Sequence, residues 1–191
     1  MCSAGSPFAA RAESSSSAVR DAGSFGAPLI VTAELPEALQ SRADQLRREH
    51  FPPERNHLKA HVTLFHAIPS SYEDELRDVL AVEARARPVR ARLDGVMSLG
   101  TGTALKLTSL TMLELRERIA ERFHGLLTPQ DLQVPRLHVT VQNKVSSTKA
   151  KALQAHLAAT IEPRDFAFAG LALHRYRGGP WELVKRWSFR G

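Results

Sequence analysis

The sequence predicts an α+β fold of two lobes made by internal duplication. Each lobe should be an antiparallel sheet with helices on its outer face, and the active cleft should lie between the lobes. Three observations predict this. The tetrapeptide HVTL at His61 returns as HVTV at His138. A serine-led helical pattern follows each copy, in SSYEDELRDVLAVE and in SSTKAKALQAHLAA. Another helical pattern precedes each copy. A unit written twice in matching surroundings is the mark of repeated architecture.

The elements follow in order. Residues 1–26 are small and polar, with serines at 14–17. Such a stretch buries too little apolar surface to offset its ordering entropy, so a disordered tail is expected. The folded domain then spans 27–191. PLIVTAEL, rich in β-branched residues, reads as a strand. In PEALQSRADQLRREHF, Leu39, Ala43 and Leu46 recur at helical spacing behind Pro36. AHVTLFHAI is a strand, and the next helix takes its cap from Ser70 or Ser71 with Glu73 and Asp74 in its first turn. PVRARLDGVMSLG alternates apolar with charged residues, as a half-buried strand does. TALKLTS is its partner across Gly100 to Gly102. LTMLELRERIAERFHGLL is a helix, LHVTVQNKV a strand and SSTKAKALQAHLAATI a helix. DFAFAGLALHRY and WELVKRWSF are the last two strands. The charges in RRE at 47–49 and RERIAER at 116–122 read as helix-surface patterns.

Composition is that of an ordinary globular domain, 43% hydrophobic and 24% charged over 191 residues. Cys2 is the only cysteine, so no internal disulfide forms. The net charge of +6 leans towards an anionic partner such as a phosphate ester or nucleic acid. No stretch approaches the ~18 apolar residues of a membrane span, and the N-terminus lacks a secretory signal. A cytoplasmic monomer without membrane contact is expected.

Alternate side chains of a strand share a face. His61 and Thr63 therefore point one way and Val62 and Leu64 the other; His138 and Thr140 are likewise opposed to Val139 and Val141. The apolar pairs can enter a core while the polar pairs face a cleft. An imidazole moves protons near neutral pH, and a threonine hydroxyl can donate to an anionic oxygen. Phe65 continues the first polar face, where a ring could stack on a base. Lys59 and Arg136 each precede a motif by two residues, and Lys144 lies beyond the second on its face; all three are candidate phosphate contacts. HRYRGGPWELVKRWSF mixes cations with rings. It suits RNA, though Trp181, Leu183 and Trp187 fit better as a packed strand face. No metal site is expected. His57, His61 and His66 lie close in sequence, but His66 should fall on the face opposite His61, and no ligand-spaced cluster occurs.

His61-Val62-Thr63-Leu64 and His138-Val139-Thr140-Val141 resemble the paired His-x-Thr-x motifs of the two-histidine phosphoesterase superfamily, especially its bacterial 2′–5′ RNA ligase-like branch. The order of elements over 28–189 is similar too. The resemblance implies a two-lobed α+β fold with both motifs on a central cleft. It implies metal-independent hydrolysis of 2′,3′-cyclic phosphates, on RNA ends or small cyclic nucleotides, with no cofactor. His61, Thr63, His138 and Thr140 become the catalytic residues. In family members that make 2′-monophosphates the second-motif histidine is the base, which makes His138 the base and His61 the acid. The alternatives are a 2′–5′ RNA ligase and a non-catalytic RNA-binding module.

Overall fold

The computed structural model describes residues 26–190. The expected tail at 1–26 lies outside the described residues apart from Gly26. In chain order the elements are β1 (Leu29–Glu34), α1 (Glu37–His50), β2 (Val62–Ile68), α2 (Glu73–Glu83), β3 (Arg90–Ser98) and β4 (Thr103–Thr108), then α3 (Leu110–Arg122), β5 (His138–Gln142), α4 (Ser147–Thr160), β6 (Arg164–Ala167), β7 (Gly170–Arg175) and β8 (Glu182–Ser188). They form two four-stranded antiparallel sheets, ordered β2-β1-β7-β8 and β5-β4-β3-β6. The architecture is the two-lobed α+β fold that the sequence predicts, and each lobe carries one motif strand at a sheet edge.

The lobes are not consecutive halves of the chain. The strands after α2 belong to the second sheet, and the first sheet is completed by the C-terminal strands. DFAFAGLALHRY, expected as one strand, is two strands in different sheets. The chain switches lobes at Phe168 and Ala169, whose N–H groups donate to Val89 and Glu34 carbonyls. Gly170 starts β7 hard against the Trp187 carbonyl, where a Cβ would collide, so only glycine fits this corner.

Helix ends follow local chemistry. Ser109 caps α3 by accepting from the Met112 N–H, and Ser146 caps α4 by accepting from the Lys149 N–H. The serine cap expected for α2 is absent. Ser70–Tyr72 form a 3₁₀ turn, and Tyr72 sits at the cap position without a side-chain bond. The acidic first turn of Glu73, Asp74 and Glu75 faces the helix dipole instead.

Two helices reach across to the other lobe, while α4 packs on β3 and β4 of its own sheet. α1 connects two strands of the first sheet but packs its apolar stripe of Leu39, Ala43 and Leu46 on β5 of the second. α3 connects two strands of the second sheet but reaches β2 of the first through Arg116. One arginine on each of these helices is buried, contrary to the surface expectation, while Arg48, Arg118 and Arg122 of the same charge patterns are exposed. Arg47 is 4% exposed, and its Nη1 donates to the Thr140 carbonyl at 2.9 Å and its Nε to Asn56 Oδ1 at 3.1 Å. Arg116 is 2% exposed, with its Nε donating to the Leu64 carbonyl at 3.2 Å and its Nη2 to the Asp131 carbonyl. Each guanidinium also lies over an aromatic ring, Phe51 and Phe65 respectively. Charge spacing alone could not show this, because burial is decided by which helix face meets the other lobe.

Replacing Arg47 with Met keeps most of the side-chain volume but leaves the Thr140 carbonyl without its donor. An orphaned buried acceptor costs about 1–3 kcal/mol. Arg47→Met should lower unfolding stability by that amount in urea titrations; an unchanged midpoint would contradict the pinning role.

Candidate active site

The two motif strands touch each other where the lobes meet. Between them lies a cavity of about 490 Å³ lined by His61, Thr63, His138 and Thr140, a volume suited to a mononucleotide-sized ligand. The apolar partners Val62, Leu64, Val139 and Val141 are all buried. The period-2 pattern thus sorts the motif residues as strand geometry requires.

The two imidazoles are held in the same way. His61 Nδ1 lies 2.7 Å from the Lys59 carbonyl, and His138 Nδ1 lies 2.6 Å from the Arg136 carbonyl. A carbonyl only accepts, so each Nδ1 carries the hydrogen. In each neutral ring Nε2 is then the free acceptor. The residues two before each motif therefore contribute through their backbone. The Lys59 side chain is exposed at a neighbouring cavity of about 530 Å³, while that of Arg136 lines the cleft itself.

His61 is half-buried in the cleft beneath Trp181, with ring centroids 4.6 Å apart. Its pKa is pushed down to about 4. Burial is the main cause; the Lys59 carbonyl works against it, and the nearby positive charge of Arg47, His174 and His138 adds to it. His61 is therefore neutral at pH 7, which disfavours it as the resting acid. His174, whose ring centroid is 5.7 Å from that of Trp181, hydrogen bonds with Thr32 Oγ1 and is likewise lowered to about 4, by burial and then by Arg186. The expected packing role of Trp181 is thus a cleft role. The basic and aromatic segment at 174–187 is the sequence signal for it.

Two of the expected substrate contacts are corrected. Phe65 is fully buried. Val31 pairs with Phe65 and Thr32 with Thr63, so β2 carries an extra residue, a bulge at Leu64, and the register shifts again between Phe65 and Ile68. The bulge sends Leu64 and Phe65 both into the core and shifts alternation by one. It also brings His66 to the cleft with His61 and Thr63, not to the opposite face. Lys144 leaves the cleft as well. β5 ends at Gln142, and Lys144 adopts the left-handed conformation, φ 59°. It lines a separate groove with Arg48 and Lys149, between α1 and α4. Alternation counted from His138 stops where the strand stops. Among the described residues, no group of three or more His, Cys, Asp or Glu is placed to hold a metal ion. No described helix is long and apolar enough to cross a membrane.

Two lobes that each present one His-x-Thr-x strand to a shared cleft define the two-histidine phosphoesterases. The sequence model of the 2'-5' RNA ligase superfamily matches residues 35–180, and the chain belongs to that superfamily, whose members act on phosphodiester bonds. No curated protein matches the chain. Among solved structures, E. coli LigT complexed with 3'-AMP is similar at a TM-score of 0.58 and 18% identity, covering 87% of this chain and 99% of that one. LigT complexed with NADP+ gives 0.56 and 19%, covering 88% and 100%. TT0787 of Thermus thermophilus gives 0.57 and 18%, covering 86% and 98%. At these identities the likeness establishes the fold.

Between about pH 6.5, the ordinary histidine value, and about pH 4, the unfolded chain binds protons on His61 and His174 that the folded chain does not. Stability should therefore fall as pH falls through this window. Urea midpoints measured from pH 7 to pH 4 should decline, and the decline should flatten in a His61→Ala/His174→Ala variant. A variant slope equal to the wild-type slope would refute the burial effect.

Proposed function

We propose that the protein is a phosphodiesterase that hydrolyses 2′,3′-cyclic phosphates of RNA ends or nucleotides by two-histidine general acid–base catalysis. One observation carries this reading: two imidazoles from opposite lobes, each with Nδ1 tied to a backbone carbonyl, line a single cavity of nucleotide size. A water attacks phosphorus and gives its proton to Nε2 of one histidine. The bond from phosphorus to one ribose oxygen breaks, and the other histidine protonates that oxygen. A nucleoside monophosphate leaves, and the two histidines exchange their extra proton with solvent before the next turn.

His61 is the base in this scheme and His138, as imidazolium, the acid. This reverses the assignment that the family resemblance implies, because burial beside Trp181 keeps His61 neutral at rest. Thr63 and Thr140 donate to the non-bridging oxygens, where charge gathers in the transition state. Arg136 and Lys59 supply positive charge at the cleft and beside it. The two imidazoles provide both proton transfers, so the chemistry needs no metal.

Ligation is the second reading, favoured by membership of a superfamily described by it. The same site run in reverse would join a cyclic phosphate to a hydroxyl of a second RNA end. A non-catalytic RNA-binding module would bind these ends without turning them over.

Wild-type protein in excess EDTA should convert 2′,3′-cyclic nucleotides to monophosphates, followed by ³¹P NMR. His61→Ala and His138→Ala should each slow this by roughly 10²–10⁴-fold. Near-normal turnover in either variant, or none in the wild type, would sink the reading. With His61 as base, kcat/KM should hold towards pH 5 and fall only near pH 4; an acid limb already complete near pH 6.5 would reassign the base. Incubating cyclic-phosphate-ended RNA with a 5′-hydroxyl acceptor separates ligation from hydrolysis by product length.

A further inference from the structure

The cleft holds a third imidazole that neither motif accounts for. His66 lies three residues beyond Thr63, about 10 Å along the strand, and the β2 bulge turns it into the same cavity. Its Nδ1 is 2.9 Å from Oδ1 of Asp131, a residue only 1% exposed. The same carboxylate accepts from the backbone N–H of His66 at 2.9 Å and of Ala67 at 2.9 Å. Burial would raise the Asp131 carboxyl, but the bonds from the His66 side chain and these N–H groups hold it below the usual carboxylate range. An ionised carboxylate has no hydrogen to give, so His66 Nδ1 must donate. In the neutral ring Nε2 is then a bare acceptor. Among the described residues nothing hydrogen bonds to it, and the side chain is 46% exposed.

The mounting is rigid. Arg116 ties the Asp131 carbonyl to the bulge, and Thr128 Oγ1 accepts from the Asp131 N–H. Besides the motif residues, Trp181 and the cation Arg136, the cavity that His66 lines has walls of two kinds. Gln130 and Gln133 are polar, while Met97, Leu99 and Val134 offer an apolar bed, with Val134 70% exposed. A flat ring with a polar edge fits such a place. A second phosphate would leave the apolar bed unused.

We propose that His66 reads the edge of the nucleobase joined to the cyclic ribose, accepting a hydrogen bond from an exocyclic amino group. Adenine and cytosine carry that amino group at positions 6 and 4. Guanine and uracil carry a carbonyl oxygen at those positions, which would face an acceptor with no hydrogen between them; the amino group of guanine is at position 2 instead. The proposal rests on the nucleotide reading of the cleft made above. One lost hydrogen bond corresponds to up to about tenfold in affinity.

The test is equilibrium binding of adenosine, cytidine, guanosine and uridine 3′-monophosphates to the full chain at pH 7.5, read by calorimetry. The wild type should bind the adenine and cytosine compounds up to about tenfold tighter than the other two. In His66→Ala that ratio should fall to near one. Equal binding of all four by the wild type would overturn the proposal, as would a ratio unchanged in His66→Ala. A mere structural role would weaken all four together and leave the ratio intact, which counts against the proposal. Binding needs no turnover, so a missing hydrolase activity would sink the reaction assigned above while the base preference is still measured.

Discussion

The cleft depends on a reciprocal pair of buried arginines. Arg47 leaves the first lobe on α1 and holds the Thr140 carbonyl in the second motif. Arg116 leaves the second lobe on α3 and holds the Leu64 carbonyl in the first. A guanidinium taken out of water is costly unless its donors are met. Here two donor nitrogens of each are met, by main-chain oxygens of the motif strands and by Asn56 and Asp131. Each lobe thus fixes the other's motif strand. The crossing of α1 and α3 between lobes is what fixes two edge strands, far apart in sequence, against each other where the lobes meet.

That rigidity matters to the proposed proton transfers, which are sensitive to placement. A misplacement of about 1 Å can cost about 10²-fold in rate. The imidazoles are set by bonds to their own strands' upstream carbonyls, and the strands are set by the arginines. The rings therefore inherit the order of the backbone. The environments of the two rings differ, however. Trp181 covers His61 and removes water from it, and Arg47 and His174 add positive charge nearby. A duplicated device made unequal by its surroundings can divide the work of acid and base between its halves.

The β2 bulge has an equally large effect. One extra residue exchanges the fates of Phe65 and His66, and the carbonyl at the bulge becomes the acceptor for Arg116. The sequence HVTLFHAI contains no glycine or proline to announce the irregularity. Strict alternation therefore assigns the wrong face to both residues. Asp131 has no signal at all, since it sits in the TPQDLQVP loop and meets β2 only after the lobes close.

The sequence alone determined the lobed α+β class, the element types and the four motif residues, because period-2 and period-3.6 patterns and a literal repeat are local properties of the chain. It also placed Lys59 and Arg136 beside the motifs. Tertiary structure alone decided which strands share a sheet, that Arg47 and Arg116 are buried, that Trp181 belongs to the cleft, and that Lys144 does not. Those outcomes depend on contacts between residues distant in sequence and on where a strand bulges or ends, and neither is written in local periodicity.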